Sequence, residues 1–415
     1  MGDEMAEEVW GDEDFVTAQF KRYYTRNAYQ VKGPSDFHHR EFGFLSFSGR
    51  SMHRHVGFND LQSLRAYLMD NAPSHSYYSA AYYEHPRATM DKKNWLGADL
   101  VFDIDVDHFL LPCQDQHDRW TCRQCGNMGA GHPPEICPKC KNASFTEETW
   151  LCKDCLDAGK NETQKLVDIL VQDFGVDPVS ELTVNFSGHR GYHVHVKSPK
   201  VRQLGQVARR EMVDYIMGIG IEAQYQGFTS RNVGGGSAFA SGGWRTRTVK
   251  ALYDYLSELT EVDAKKLRLK KPTYEKLFEN RDEVLKLLMT RHPSSIHRYM
   301  SKNTLDKLLA VAVKGQASEI DTVVTTDLKR LIRLHDALHG KTGWLTQVIP
   351  EDQLDDYDPF EDPIAFREGE VKLNIKHTPK IEMMGETYGP YEAETVTVPL
   401  AVGIFILCRK AGRLA

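Results

Sequence analysis

The 415-residue sequence has no apolar run that approaches a membrane span and no internal repeat of domain size. It also lacks a basic-then-apolar leader. The opening stretch MGDEMAEEVWGDEDF is acidic, which argues against a secretory signal and gives the expectation of a cytoplasmic chain with no membrane association. Cysteine is missing from most of the chain. Seven of the eight lie between Cys113 and Cys155, and Cys408 stands alone. In a reducing compartment, cysteines clustered in pairs argue for metal rather than disulfides. No strong excess of either charge is present: the net charge is −6, with 27% charged residues, so the mean neither demands nor forbids a polyanionic partner.

What is present exceeds one simple core in length. The expected fold class is α/β, of mixed α+β kind. Residues 1–112 begin a core, 113–155 form a zinc-binding insertion, 156–200 continue the core, 201–316 form a mainly helical insertion, and 317–415 complete the core. A helix is expected over FVTAQFKRYYTRN from near Phe15, and a hairpin about Ser48-Gly49. A second helix is expected over NETQKLVDILVQDFG, capped by Asn161 and ended by Gly175. The glycine-rich 233–243 reads as a flexible loop.

The stretch GADLVFDIDVDHF carries the first chemical signal. Alternation on a strand puts Leu100, Phe102, Ile104 and Val106 in one row and Asp103, Asp105 and Asp107 in the other. Like charges on one face repel, so something positive belongs there. Asp103 and Asp105 suit divalent hard cations, while Asp107 caps the strand or supports a neighbour. The next signal is FSGHRGYHVHV. Ser187, Gly188 and Gly191 allow a tight turn, Arg190 offers a fork to phosphates, and His193 and His195 share a strand face. In EIDTVVTTDLKRLIRLHDALHGKTGW, Asp321 supplies a third carboxylate on a β-rich run. A basic helix with Lys329, Arg330 and Arg333 follows, then His339 and Lys341 in a glycine-flanked turn. Together these supply the parts of a two-metal phosphoryl transfer.

The cysteine spacing Cys122-x2-Cys125-x11-Cys137-x2-Cys140-x11-Cys152-x2-Cys155, with Cys113 and His117 upstream, is that of zinc hooks. The favoured partition is a ribbon from Cys122, Cys125, Cys137 and Cys140, with Cys113, His117, Cys152 and Cys155 closing a second site. His132 is the alternative to His117, and either one or two structural zinc ions fit.

The motifs FDIDVDH, SGHRGYH and ALHGKTG, in this order, resemble the catalytic small subunit of archaeal and eukaryotic DNA primase, the archaeal branch more closely. The resemblance implies a prim-type polymerase core with Asp103, Asp105 and Asp321 holding two Mg²⁺ or Mn²⁺ ions. It implies that Ser187, Arg190, His193, Arg333, His339 and Lys341 bind the nucleotide phosphates, with Glu41 and Arg54 near the nucleotide site. Single-stranded DNA template, nucleoside triphosphates, a primer/template duplex and a larger subunit with an iron–sulfur cluster are the implied partners. The departure is an extra ribbon within the family's zinc knob, for which Cys152 and Cys155 fit best. Arg190, Arg209, Arg210 and the KKLRLKK run are candidates for a nucleic-acid path. The rival readings are a repair-type polymerase of the same superfamily, a phosphohydrolase and a non-catalytic zinc-ribbon adaptor.

Overall fold

The computed structural model describes residues 12–49, 51–222, 228, 242–290 and 293–415. Most of the glycine-rich loop expected over 233–243 lies outside them. The chain is of mixed α/β character and forms two compact units. The first comprises the described residues of Met1–Asn161 with Val179–Val207 and Asp321–Ala415; the second comprises Glu162–Pro178 and Ala208–Ile320.

Two four-stranded sheets make the centre of the first unit. In chain order their strands are β1 Phe42–Leu45, β2 His53–Val56, β3 His75–Ser79, β4 Leu100–Asp105, β5 Leu182–Phe186, β6 Gly191–Val196, β7 Leu331–Arg333 and β8 Gln347–Ile349. One sheet runs β7-β3-β1-β2 and the other β8-β5-β6-β4. The expected hairpin is the antiparallel pair β1–β2. The helix Asp12–Asn27 buries Val16, Phe20, Tyr23 and Tyr24, a stripe at helical spacing, with three acids in its first turn where the helix dipole favours them. Towards the chain end, Glu370–Thr378, Tyr391–Pro399 and Gly412–Leu414 form a three-stranded sheet beside the helix Leu400–Cys408. That helix is buried from Leu400 to Leu407, so its apolar sequence is core. No helix among the described residues is long and apolar enough to cross a membrane.

The second unit is helical. Its core joins Leu252 and Leu256 of the helix Gly243–Glu258, Val284 and Leu288 of Arg281–Leu288, and Leu305, Leu308 and Leu309 of Lys302–Gln316. Arg247 and Asp173 form a buried ion pair at 2.6 Å within it.

Three local expectations are corrected. The helix expected from Asn161 starts at Lys153, because the second residue of the Cys152–Cys155 hook already lies in its first turn. Asn161 is therefore interior and caps nothing. Asp107 is not on the aspartate strand: β4 ends at Asp105, and Val106–His108 is a 3₁₀ turn. The basic helix through Arg333 does not form. A short helix, Thr322–Thr326, ends before it, and Arg333 lies on β7.

Candidate active site and metal sites

The aspartate strand owes its place to its apolar row. Leu100, Phe102 and Ile104 are fully buried, which leaves Asp103 and Asp105 on the opposite, half-buried face. β6 pairs antiparallel with β4, so His193 stands opposite Asp103 and Gly191 opposite Asp105. A Cβ at Gly191 would lie 2.0 Å from the Ile104 carbonyl oxygen, so this pairing tolerates only glycine there. The third carboxylate arrives from far along the chain. The Asp321 amide donates to the Asp103 carbonyl at 2.8 Å, and the Asp321 carboxylate caps the short helix through the Val323 amide.

Burial, with the charges of Asp105 and Asp321, pushes Asp103 up to about 7. Burial also raises Asp105, opposed by the cation of Arg190 and by His108, His193 and Lys341. This crowding of carboxylates is the environment that a divalent cation relieves. His193 Nε2 lies 3.4 Å from Asp103, and burial with the charge of Arg333 holds the imidazole down at about 4.

Around this centre four of the predicted phosphate donors, Ser187, Arg190, His339 and Lys341, occupy two tight turns, while His193 lies on β6 and Arg333 on β7. The Ser187 hydroxyl faces inward, accepting the His189 and Gly191 amides at 3.3 and 3.1 Å. Arg190 is buried and ion-paired with Asp107, which explains the third aspartate: it holds a neighbour's guanidinium. In the other turn His339 is buried and Lys341 is exposed. Thr342 Oγ1 donates to the Gly188 carbonyl at 2.6 Å, and the His189 and His339 rings stack at 5.1 Å. The turns are thereby locked together. Partial desolvation of its ammonium lowers Lys341, as do the charges of Arg333 and Arg190, while Asp105 opposes them.

Arg54 on β2 of the other sheet pairs with Glu41, which immediately precedes β1. Arg54 grips both carboxylate oxygens at 3.0 and 3.2 Å. Burial would raise Glu41, but Arg54, the His55 amide and the charge of Lys93 outweigh it and hold the carboxyl below its usual range. Lys93 is 1% exposed and 3.4 Å from Glu41, a partner that sequence reasoning missed. Its position in a polar run, MDKKNW, carries no sign of burial. His75 beside Arg333 was also missed; only the alternation His-x-Tyr in HSYYS points to a shared strand face.

The proposed nucleic-acid cations outside this site fare differently. Arg209 is 1% exposed, Arg210 pairs with Asp214 at 3.5 Å, and Lys265, Lys266 and Lys271 each pair with an acid on their own helix. Three of the five cations of that run are thus paired within their own helices, while Arg268 and Lys270 are exposed, the pattern of a solvated helical face.

The cysteines assemble as the favoured partition requires. Cys113, His117, Cys152 and Cys155 form one group and Cys122, Cys125, Cys137 and Cys140 the other, the ligand atoms of each lying within 4.8 Å of one another. Neighbouring sulfurs stand 3.5–3.7 Å apart, and tetrahedral Zn–S bonds of about 2.3 Å ask for about 3.8 Å. The ribbon group comes from two like turns. The Gly126 amide returns to the Cys122 carbonyl and the Lys141 amide to that of Cys137, both residues with positive φ. His117 turns Nε2 to Cys155 and Nδ1 to Asp118 at 2.7 Å, the support usual for a ligating imidazole. His132 instead bonds Gln114 at 2.8 Å and stands outside both groups.

A family model described as DNA primase small subunit matches residues 135–349. The DNA primase small subunit PriS of Methanococcoides burtonii is 34% identical over 419 residues, covering 96% of this chain and 97% of the relative. That of Halorubrum lacusprofundi is 33% identical over 97% of this chain and 98% of the relative, and that of Cenarchaeum symbiosum 31% over 95% and 96%. With the aspartate centre and the two turns beside it already in place, this agreement over nearly the whole length of both partners means that the chain belongs to the DNA primase small-subunit family and is a DNA-directed nucleotidyltransferase.

Proposed function

We propose that the chain is the catalytic subunit that makes short primers on single-stranded DNA, with a prim-type core in its first unit. Asp103, Asp105 and Asp321 would hold two Mg²⁺ or Mn²⁺ ions. When bound, such ions acidify an attacking 3′-hydroxyl and neutralise the departing pyrophosphate. The observation that carries this reading is the Asp321 amide to Asp103 carbonyl bond, which sets a third carboxylate beside two that already repel.

The protein's own groups then divide the work. Arg333 and Lys341 attract the triphosphate of the incoming nucleotide, and His193 and His339, kept neutral by burial, donate hydrogen bonds without adding charge. Ser187 shapes the turn that carries Arg190, and Asp107 aims Arg190 across the aspartates. Glu41 and Arg54 form a preset ion pair for the second nucleotide or the primer end. The cysteine groups hold structural zinc, since each supplies four ligands and leaves no open position. The partners are nucleoside triphosphates, template DNA and a larger subunit with an iron–sulfur cluster.

The test is primer synthesis from labelled nucleotides on a single-stranded template with Mg²⁺ or Mn²⁺, with and without the large subunit, comparing the chain with Asp103→Ala. Template-dependent products that vanish in the variant are expected. Equal product from both forms would overturn the assignment of the aspartates.

A further inference from the structure

His75 has no part in the reading above, yet it sits between two of its components. It begins β3, two residues before Tyr77, so the two side chains leave the strand on one face. β7 pairs with β3 in a register that places Arg333 opposite Tyr77. The Arg333 guanidinium stands over the Tyr77 ring at 5.0 Å, donates to its hydroxyl at 3.1 Å and donates to His75 Nδ1 at 2.9 Å. The same Nδ1 accepts the Gly340 amide at 3.3 Å, and the His339 ring lies 4.8 Å away. The approach is close: a Cβ at Gly340 would meet the Ser74 carbonyl oxygen at 2.7 Å. Turn and strand meet here through a residue with no side chain.

Two donors on Nδ1 define its state. A neutral imidazole has one acceptor nitrogen, so Nδ1 is bare and the proton is on Nε2. Burial and the cations of Arg333 and Lys341 keep the ring neutral, pushing it down to about 3. A carboxylate in this place would also hold the arginine, but it would cancel the charge that a phosphate needs. Histidine holds the guanidinium and leaves its charge intact.

We propose that His75 is a positioning residue of the nucleotide site, a single neutral acceptor that fixes Arg333 and the 339–341 turn so that both address one triphosphate. This rests on the assignment of Arg333, His339 and Lys341 to the triphosphate. Loss of a hydrogen bond to a charged donor corresponds to about tenfold or more in binding.

The test measures KM and kcat for nucleotide addition to a primed template in His75→Phe, His75→Asn and Arg333→Ala, with selective ¹⁵N-histidine spectra of the wild-type chain. His75→Phe keeps the ring shape and removes the acceptor. It should raise the nucleotide KM about tenfold while kcat stays within about threefold. His75→Asn, whose side-chain oxygen falls near the position of Nδ1, should recover most of that loss. In an Arg333→Ala background, His75→Phe should add clearly less than the roughly tenfold it costs alone, because only its hold on the 339–341 turn through the Gly340 amide remains. A raised KM in Arg333→Ala with none in His75→Phe overturns the role of His75 alone. An unchanged KM in Arg333→Ala overturns the triphosphate assignment itself, and with it this proposal. The spectra decide independently of any variant's folding: an Nε2-protonated His75 is expected, and an Nδ1-protonated one refutes the geometry.

Discussion

Replacing Asp103 by asparagine should abolish nucleotidyl transfer and yet make the metal-free protein more stable. The carboxyl is displaced from an ordinary value near 3.8 to about 7 by burial and by two neighbouring carboxylates. An acid with a raised folded-state value costs stability once it is ionised. The cost begins as pH rises above about 4, where the unfolded chain starts to ionise first, and it is complete above about 7. At about 1.36 kcal/mol per pH unit the ceiling is about 4 kcal/mol. The side chain is 22% exposed and makes a 3.4 Å contact with His193, so the expected gain for Asp103→Asn is about 2–4 kcal/mol at pH 8. Thermal and urea unfolding should be followed at pH 8 and pH 4.5 in buffer without added divalent ions. No chelator should be used, because it would strip the cysteine sites. The gain should shrink towards nothing at the lower pH. Added Mn²⁺ should stabilise the wild type and leave the variant unmoved, reversing their order. A variant equally or less stable at pH 8 would refute the electrostatic argument, whatever its activity.

Three further outcomes follow from the same geometry. Elemental analysis should find two zinc ions per chain, falling to one in Cys125→Ser with the first group retained; a single zinc in the wild type would refute the double site. Asp99→Ala should cost about 3–5 kcal/mol, read as a lower urea midpoint, because it strands Arg40, which is 0% exposed and held at 2.6 Å; a loss below about 1 kcal/mol would show that the remaining carbonyl contacts suffice. Gly191→Ala should separate β6 from β4 and cost both stability and activity, since the new methyl would sit on a backbone oxygen; a stable, active variant would refute the close pairing.

The candidate site was legible where function imposes a local pattern. The alternation around Asp103 and Asp105 specifies a strand with one apolar face, and the hook spacing leaves few ways to share eight ligands. Legibility failed where a tertiary contact decides. Leu328, Leu331, Ile332 and Leu334 fit a helix as well as a strand, and pairing with β3 settles Arg333 as strand. Asp107 continues the alternation in sequence, but its backbone turns away, and only Arg190 explains it. The Glu41–Arg54 pair comes from hairpin register, and Lys93 joins it from a distant loop. His75 needed both a strand face and a turn more than two hundred residues away to become visible.

The return of the chain at Asp321 has a consequence for how the enzyme is born. More than two hundred residues, including the whole of the helical unit, separate Asp105 from Asp321, and β8, the outer strand beside β5, follows later still. At about 5–20 residues per second a ribosome needs roughly ten to forty seconds to cover that interval. For that time a nascent chain carries the first two carboxylates without the third, and without the turn of His339 and Lys341. On the proposed assignment of these residues, a product truncated before Asp321 would carry only part of the site, so the order of synthesis itself withholds activity until more than three quarters of the polypeptide is made.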